Sequence, residues 1–304
     1  MSPTRPSPEI VVVGHLSRDL LVSPEITRES LGGGTAYAML APAVGAKGAG
    51  IVSCVGHDFE QEYIDILKKS GLDLTGLKTR GPHSTRFVNI YDSAGNRTQR
   101  VEAVAPRLTA DYYSKQHLRS RVFHFCPLTA GELDLSCLEQ AHASGALVSL
   151  DVQGYLRAIE GDQVVPREWE ERDDILGYVD LLKFDSQELK TAYGDVPKAS
   201  AVEQITISGP RMVIVTRDRR GSIIFTRDSR IDIPLVLADK FVDSTGCGDT
   251  YTIGFLLEYM RTGDIRRAGL FGATCASYNL ETVGPYNMPT RKQVESRMES
   301  YLHL

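Results

Sequence analysis

Cysteine is sparse in this chain, with five residues scattered over 304 positions. No C-x-x-C pair occurs, the count is odd, and the two nearest residues, Cys126 and Cys137, are far apart in sequence. A disulfide framework needs paired cysteines, and a structural zinc site needs closely spaced ones. The sequence therefore argues against both a disulfide framework and a structural zinc site, and a reduced protein is expected.

Long apolar runs and an excess of basic residues are also absent. The first apolar run, residues 10–13, is far shorter than the ~20 residues of a membrane-spanning helix. The chain has 34 Lys and Arg against 39 Asp and Glu, a net charge of −5, whereas nucleic-acid-binding proteins usually carry a basic surplus. We therefore expect a cytoplasmic protein that binds neither membrane nor nucleic acid.

Several familiar catalytic motifs are missing as well. No Gly-Lys dipeptide occurs, so there is no Walker A loop. The first apolar run leads into Gly14-His15-Leu16 instead of G-x-G-x-x-G, which gives a dinucleotide fold little support. The histidines lack H-E-x-x-H spacing, and no nucleophile elbow is found.

Short β-branched runs alternate with longer helical patterns along most of the chain. Near-continuous apolar runs are typical of parallel strands that are covered on both faces. The predicted strands are residues 10–13, 50–55, 122–125, 146–150, 181–184 and 212–216, and the predicted helices are residues 35–44, 59–70, 133–144, 186–193 and 202–208. This alternation predicts an α/β fold with a doubly wound, mostly parallel sheet flanked by helices.

Two segments depart from that alternation. Residues of about 16–32 and 84–103 are strand-like and poor in helix, and the second contains the turn sequence DSAGNR. We expect these insertions to form a small β-sheet lid on a single domain that spans residues 1–304.

The segment DSTGCGDTYTIGFLLEYM, residues 243–260, carries the strongest chemical signal. Its later part has apolar residues at helical spacing, namely Ile253, Leu256, Leu257 and Met260. Gly246, Cys247 and Gly248 precede that helix, so their backbone amides and the helix N-terminus favour an anion. Asp249 follows in the first turn. An ordinary helix cap also accounts for an aspartate there, but transfer of a phosphoryl group to a hydroxyl needs a base beside an anion site.

A glycine triplet opens the segment LGGGTAYAMLAPAVG, residues 31–45. The triplet can be a turn before a closely packed helix, or it can allow close approach of the backbone to a ligand. Together with DSTGCGD and the α/β pattern, it resembles the ribokinase-like (PfkB) carbohydrate kinases over nearly the whole chain. That resemblance implies a ribokinase-like fold, a β-sheet lid, and transfer of the γ-phosphoryl group of ATP to an alcohol with Mg²⁺.

On the acceptor side, the resemblance implies roles for residues of the glycine triplet and its surroundings. Asp249 is then the catalytic base, and Gly246, Cys247 and Gly248 form the anion hole. Asp19 matches a substrate-binding aspartate, which can accept hydrogen bonds from two neighbouring hydroxyls. The other implied substrate contacts are Gly33, Gly34 and Tyr37, with Tyr37 standing where the family often has Asn.

On the donor side, the match to the family is partial. The segment FDSQELKTAYG resembles N-x-x-E, so Glu188 is implied to bind Mg²⁺ through water, with Asp185 in place of Asn. Asp185 can equally cap the following helix. The segment VTRDRRGSIIF resembles T-x-G-x-x-G, so Thr216 and Gly221 are implied to bind the nucleotide. Asp218 replaces the middle glycine, and three arginines surround it.

The substrate and the partners remain open at this point. A sugar, a nucleoside or a cyclitol each offers the diol that Asp19 predicts. A catalytically silent polyol- or nucleoside-binding regulatory protein on the same fold is the alternative to a kinase. By resemblance only, a homodimer through the lid and a monovalent cation near residues 243–245 and 280–284 are expected.

Overall fold

Two β-sheets and a set of flanking helices make up the protein, and the computed structural model describes residues 7–24, 27–91 and 97–303. The described strands are β1 (Ile10–Val13), β2 (Ser17–Val22), β3 (Thr27–Gly32), β4 (Ala49–Val55), β5 (Asp73–Thr79), β6 (Thr85–Tyr91), β7 (Arg97–Ala103), β8 (Val122–Phe125), β9 (Leu147–Asp151), β10 (Arg157–Glu160), β11 (Gln163–Pro166), β12 (Leu181–Asp185), β13 (Met212–Thr216), β14 (Ser222–Thr226) and β15 (Arg230–Ile233). The described α-helices are α1 (Leu40–Ala43), α2 (Gln61–Lys69), α3 (Leu135–Ala143), α4 (Arg172–Leu176), α5 (Ser186–Tyr193), α6 (Lys198–Ser208), α7 (Cys247–Thr262), α8 (Ile265–Asn279) and α9 (Arg291–Met298).

The larger sheet has nine strands in the order β15-β14-β13-β12-β9-β8-β1-β4-β5. Strands β5 to β13 in that order are parallel, while β14 and β15 complete one edge in antiparallel fashion. The central strands β1, β4 and β8 are buried along their whole length, as their continuous apolar sequences predict. The predicted α/β fold with a mostly parallel sheet is confirmed.

The smaller sheet has six strands in the order β10-β11-β7-β6-β2-β3. Its strands β2, β3, β6 and β7 come from the two segments that the sequence marked as strand-like. The predicted turn between β6 and β7, residues 92–96, lies outside the described residues. The hairpin β10–β11, which extends this sheet, was not predicted because its strands are short and half-exposed.

The helix predicted over residues 35–44 is only partly α-helical. Residues 34–39 form a 3₁₀ helix, and α1 follows for a single turn. Gly33, at φ +85°, turns the chain sharply out of β3 into this 3₁₀ helix, so the helix begins at a close contact with the body of the protein.

Helix α7 is fixed near its C-terminus by a buried carboxylate. Glu258 accepts hydrogen bonds from Arg261 at 2.7 Å, Arg267 at 2.6 Å and Arg291 at 2.8 Å. These contacts tie α7 to α8 and α9 and leave the N-terminus of α7 at the carboxyl edge of the large sheet. Among the residues that the structure describes, no helix has the length and apolar character needed to cross a membrane.

Candidate active site

The anion loop, residues 243–249, leads into the first turn of α7. Gly246 is the N-cap and has φ +78°, a backbone conformation that favours glycine. Before it, the Asp243 carboxylate accepts a hydrogen bond from the Thr245 amide at 3.0 Å, which fixes the approach to the helix. The first amides of a helix have no acceptor within the helix, and the helix dipole adds partial positive charge there. The start of α7 is therefore suited to an anion.

Asp249 lies in that first turn, with its carboxylate against Gly34. A Cβ added to Gly34 would collide with the Asp249 carboxylate and approach the Cys126 sulfur to 2.8 Å. The pKa of Asp249 is raised to about 7, mainly by burial of the carboxyl group and secondly by repulsion from Asp151. The positive charges of Lys183 and Arg157 act in the opposite direction. A carboxyl group with a pKa near neutrality can both take up and release a proton at physiological pH.

Cys247 packs its side chain away from the carboxylate, toward α8. Its sulfur accepts a hydrogen bond from the Asn279 side chain at 3.4 Å and donates to the Ala276 carbonyl at 3.7 Å. Burial raises the pKa of Cys247 to about 11, so the thiol stays protonated. The Cys247 amide donates to the Ser244 carbonyl at 3.2 Å, and the Thr250 amide donates to the Gly246 carbonyl at 2.9 Å, so both amides are engaged within the loop and the first turn.

A buried lysine that no motif indicated lies directly beneath the anion loop. Lys183 on β12 is paired in register with Asp151 on β9, and its ammonium lies 2.9 Å from the Asp151 carboxylate. A Cβ on Gly248 would come within 2.9 Å of the same ammonium. Burial alone would lower the pKa of Lys183, but the Asp151 and Glu188 carboxylates raise it above the ordinary value, so the lysine is charged. A lysine inside the apolar run LLKF is the sequence signal for this pair.

The glycine triplet links the two aspartates that the sequence predicts to contact the acceptor. The Asp19 carboxylate lies against Gly32, accepting a hydrogen bond from Ser17 Oγ at 2.7 Å, whereas the Asp249 carboxylate lies against Gly34. Two residues of extended chain span at most ~7 Å, so the Cα atoms of Gly32 and Gly34, beside which the two carboxylates lie, are no farther apart than that. Gly33, between them, faces the His15 carbonyl, where no side chain fits.

Tyr37 joins the 3₁₀ helix to the anion loop. Its hydroxyl donates to the Thr245 carbonyl at 3.1 Å, and its buried ring fills the space where a Cβ on Gly246 would be. A small cleft opens at this point, between the second sheet, the anion loop and the loop at Gly284. Its lining is Asp19, Leu21, Ser30, Leu31, Gly32, Tyr37, Asp243, Thr245 and Gly284.

The residues predicted on the donor side lie together at the carboxyl ends of β12 and β13. Asp185 and Thr216 are partners in register, and Gly221 adopts φ +72° in the turn that follows. Asp185 and Glu188 form a capping box at the start of α5, in which the Asp185 amide donates to the Glu188 carboxylate at 2.6 Å. Glu188 also lies 3.8 Å from the Lys183 ammonium, which connects the donor side to the anion loop.

Metal-binding character is limited in this arrangement. Within residues 7–24, 27–91 and 97–303, no group of three or more His, Cys, Asp or Glu side chains is placed to hold a metal ion. The segments predicted near a monovalent cation, residues 243–245 and 280–284, do touch, because the Asp243 amide donates to the Leu280 carbonyl at 3.3 Å. The Thr245 carbonyl already accepts hydrogen bonds from Tyr37 and Asn279, so the cation stays a prediction.

We expect Gly246→Ala to impair both stability and activity, because its added Cβ must displace the Tyr37 ring and adopt a strained φ. The matched control is Gly263→Ala at the other end of α7, where φ is +71° and no atom lies within 4 Å. Turnover should fall at least ~10-fold for Gly246→Ala, because a misplacement that raises the activation free energy by ~1.4 kcal/mol lowers the rate tenfold. Turnover of Gly263→Ala should stay near normal. Equal melting temperatures and equal rates for the two variants would contradict this role for Tyr37.

Comparison with known proteins gives matches along nearly the whole chain. The family model described as pfkB family carbohydrate kinase matches residues 8–292. The nucleoside kinase of Methanocaldococcus jannaschii is 26% identical, with 96% of this chain and 97% of that protein covered. The cytidine kinase of Thermococcus kodakarensis is also 26% identical, with coverages of 92% and 99%. A solved pyrophosphate-dependent kinase in the ribokinase family, complexed with a pyrophosphate analog and myo-inositol, has a TM-score of 0.79 at 23% identity, with coverages of 94% and 99%.

Proposed function

The chain belongs to the pfkB family of carbohydrate kinases, and we propose that it transfers the γ-phosphoryl group of ATP to one hydroxyl of a vicinal diol on a nucleoside, a sugar or a cyclitol. As a member of this family it is a phosphotransferase with an alcohol group as acceptor. Two relatives that match almost end to end are a nucleoside kinase and a cytidine kinase, which favours a nucleoside as the acceptor.

The observation that carries the proposal is the glycine triplet between Asp19 and Asp249. One carboxylate lies against Gly32 and the other against Gly34, two residues along the same chain segment. A single small alcohol is the acceptor that we expect to contact both. Asp19 accepts hydrogen bonds from hydroxyls of the acceptor that are not phosphorylated. Asp249 faces the reacting hydroxyl beside the start of α7. The second sheet, which carries Asp19, then covers the acceptor as a lid.

In the proposed reaction, the acceptor hydroxyl attacks the γ-phosphorus in line with the leaving group. The new oxygen–phosphorus bond forms as the bond to the ADP oxygen breaks, and the hydroxyl proton passes to Asp249. The amides at the start of α7, with Lys183 beneath them, stabilise negative charge on the transferred group. Cys247 takes no covalent part, because its thiol is protonated and directed toward α8.

Asp185 and Glu188 fit a magnesium ion that is held mainly by phosphates and water. Mg²⁺ usually keeps several waters and uses only one or two protein carboxylates at phosphate sites. Glu188 is engaged with the Asp185 amide and Lys183, which suits contact through water better than direct coordination. When bound, the ion would neutralise charge on the donor phosphates.

The direct test is ADP release from Mg-ATP with a panel of nucleosides, inositols, pentoses and hexoses, each run beside an Asp249→Ala control. A strong hit that disappears in the control supports the proposal. Folded protein that binds one of these alcohols in calorimetry but never releases ADP would overturn it in favour of a silent binding protein. A hit on inositol alone would reject the nucleoside preference.

For the acceptor site, Asp19→Asn should raise the acceptor KM by ~10- to 100-fold while kcat changes much less. The loss is that of hydrogen bonds to a charged group, which contribute ~1.5–3 kcal/mol. Glu29→Gln is the matched control, since Glu29 pairs with Leu20 and so projects from the opposite face of the second sheet from Asp19. An unchanged acceptor KM in Asp19→Asn would show that Asp19 does not bind the acceptor.

A further inference from the structure

Four connections between the second sheet and the body of the protein, by which we mean the large sheet and its helices, meet at one buried histidine. His15 lies between β1 and β2 and is fully buried. A Cβ added to Gly33, which leads out of β3, would collide with the His15 carbonyl. The His15 ring lies between Thr85, the first residue of β6, and Pro106, which follows β7. The chain therefore passes between the body and the second sheet around this one residue.

The two ring nitrogens of His15 are engaged with different segments. Nε2 lies 3.1 Å from the Pro106 carbonyl, and because a carbonyl oxygen only accepts, Nε2 is the donor. Nδ1 lies 2.9 Å from Thr85 Oγ1, which accepts a hydrogen bond from the Ala105 amide at 3.0 Å. In the neutral ring, Nδ1 accepts a hydrogen bond from the Thr85 hydroxyl. One imidazole thus joins the entry to β6 with the exit from β7.

A buried carboxylate fixes the backbone of the same histidine. Glu132 Oε1 accepts a hydrogen bond from the His15 amide at 2.6 Å, and Oε2 accepts one from the Leu128 amide at 2.9 Å. Oε2 also lies 3.5 Å from His15 Nδ1. The loop that carries Glu132 precedes α3, so it belongs to the body. Buried polar networks with satisfied members specify one arrangement of the groups that they join.

This network is connected to both carboxylates of the acceptor site. Strand β2, which carries Asp19, begins two residues after His15 and pairs along its length with β6. The His15 carbonyl lies against Gly33, in the middle of the glycine triplet that the Asp19 and Asp249 carboxylates contact. A displacement of His15 would therefore move Asp19 and the triplet relative to the body.

We propose that His15 is a positioning residue for acceptor binding, because it fixes the second sheet, and with it Asp19, at one setting relative to the body. This inference rests on the proposed function, which assigns Asp19 to the acceptor. An apolar side chain could fill the same space, but it could not hold Thr85 and Pro106 together. A site that is held in its binding arrangement avoids the cost of ordering the second sheet when the acceptor binds.

The first experiment compares His15→Leu and His15→Gln in steady-state kinetics. In His15→Leu, the acceptor KM should rise at least ~10-fold, the donor KM should stay within ~2-fold, and kcat should fall less than the acceptor KM rises. In His15→Gln, the side-chain amide can still donate to the Pro106 carbonyl, so part of the acceptor affinity should return.

The matched control is His117→Leu, which changes a second fully buried histidine. The His117 ring is hydrogen-bonded to the Thr75 hydroxyl at 3.2 Å and to the Ser114 amide at 3.2 Å, both in the body. His117→Leu should lower the melting temperature but leave the acceptor KM within ~2-fold of the parent. The control thus separates loss of a buried histidine from loss of this position.

A second variant tests the same link if His15→Leu fails to fold. Thr85→Val keeps the shape of the side chain and removes the hydroxyl that meets Nδ1 of His15. The acceptor KM should rise by ~3- to 10-fold, as expected for loss of one hydrogen bond. Thr85→Ser restores the hydroxyl and should stay within ~2-fold of the parent.

Hydrogen exchange of the free protein tests the placement of the second sheet without any ligand. The amides of β2 and β6 should exchange faster in His15→Leu, and the increase should exceed that of the β8 amides by at least ~10-fold, because only the second sheet is released. His117→Leu should show no such excess at β2 and β6.

Three results would overturn the inference: an acceptor KM that is unchanged in folded His15→Leu and in Thr85→Val, an equal rise of donor and acceptor KM, or no excess exchange at β2 and β6. The two proposals also fail in different ways. If no alcohol is phosphorylated but β2 and β6 are released in His15→Leu, the proposed function fails and the anchoring of the second sheet by His15 stands. If an alcohol is phosphorylated with an acceptor KM that ignores both substitutions, only the role of His15 fails.

Discussion

Asp249→Asn is expected to lower kcat by at least ~100-fold with the protein still folded, because asparagine cannot accept the proton of the attacking hydroxyl. The carboxylate lies against Gly34 beside the start of α7, so an amide of the same shape fits the same space. Single-turnover rates at saturating ATP and acceptor are the measurement. The matched control is Asp239→Asn, which changes an exposed side chain. Glu258→Gln does not serve, because the Glu258 carboxylate holds α7, α8 and α9 together.

The raised pKa of Asp249 gives this prediction a pH dependence. The base must be ionised, so kcat/KM should fall about tenfold per pH unit below about 7 and reach a plateau above it. The folded state favours the protonated carboxyl, whereas the unfolded chain releases the proton near pH 4. The stability that Asp249 contributes is therefore lost as the pH rises from about 4 to about 7. At pH 8, Asp249→Asn should melt at a temperature at least as high as the parent, and a lower one would contradict this environment.

Lys183→Met is expected to have the largest effect on stability. Methionine leaves the Asp151 carboxylate buried without the ammonium that lies 2.9 Å away, and breaking a buried ion pair in this way costs ~3–5 kcal/mol. Denaturant unfolding measures the loss. Lys190→Met is the matched control, because it removes the same charge from an exposed pair with Asp195 and should cost under ~1 kcal/mol.

A double variant separates the structural role of the pair from its catalytic role. Asp151→Asn combined with Lys183→Met removes both members of the ion pair and should recover part of the lost stability, since Glu188, 3.8 Å from the Lys183 ammonium, is still left without that partner. Turnover should stay low, because the ammonium beneath Gly248 is still missing. Full recovery of turnover would reduce Lys183 to a purely structural residue.

The sequence predicts six strands of the nine-stranded sheet, β1, β4, β8, β9, β12 and β13, because their apolar runs are buried. The strands at its two edges, β5, β14 and β15, were not predicted. In the smaller sheet, β10 and β11 were not predicted because they are short and half-exposed. Residues 34–39 form a 3₁₀ helix, although their composition suits an α-helix. In these places, tertiary contacts decide the local structure instead of periodicity.

For the site, motifs identified single residues but not their partners. Asp249 and the glycines were singled out by local pattern and Asp19 by the family resemblance, and their alignment along the glycine triplet depends on how β2, β3 and α7 meet. The Lys183–Asp151 pair joins strands that are far apart in sequence, so only the order of the sheet brings them together. The role of Asp185 cannot be predicted from its local sequence, because an aspartate that caps a helix and an aspartate that binds a metal ion have the same sequence pattern.

The strand order has a consequence for the newly made protein. The ribosome delivers β1 first, yet β1 lies in the interior of the nine-stranded sheet, between β4 and β8. Its pairing with β4 can begin early, but its other edge stays open until residues 122–125 have been synthesised. An apolar strand with an unpaired edge is a template for association with other chains. The nascent chain, more than the finished enzyme, is therefore the form of this protein that is exposed to aggregation.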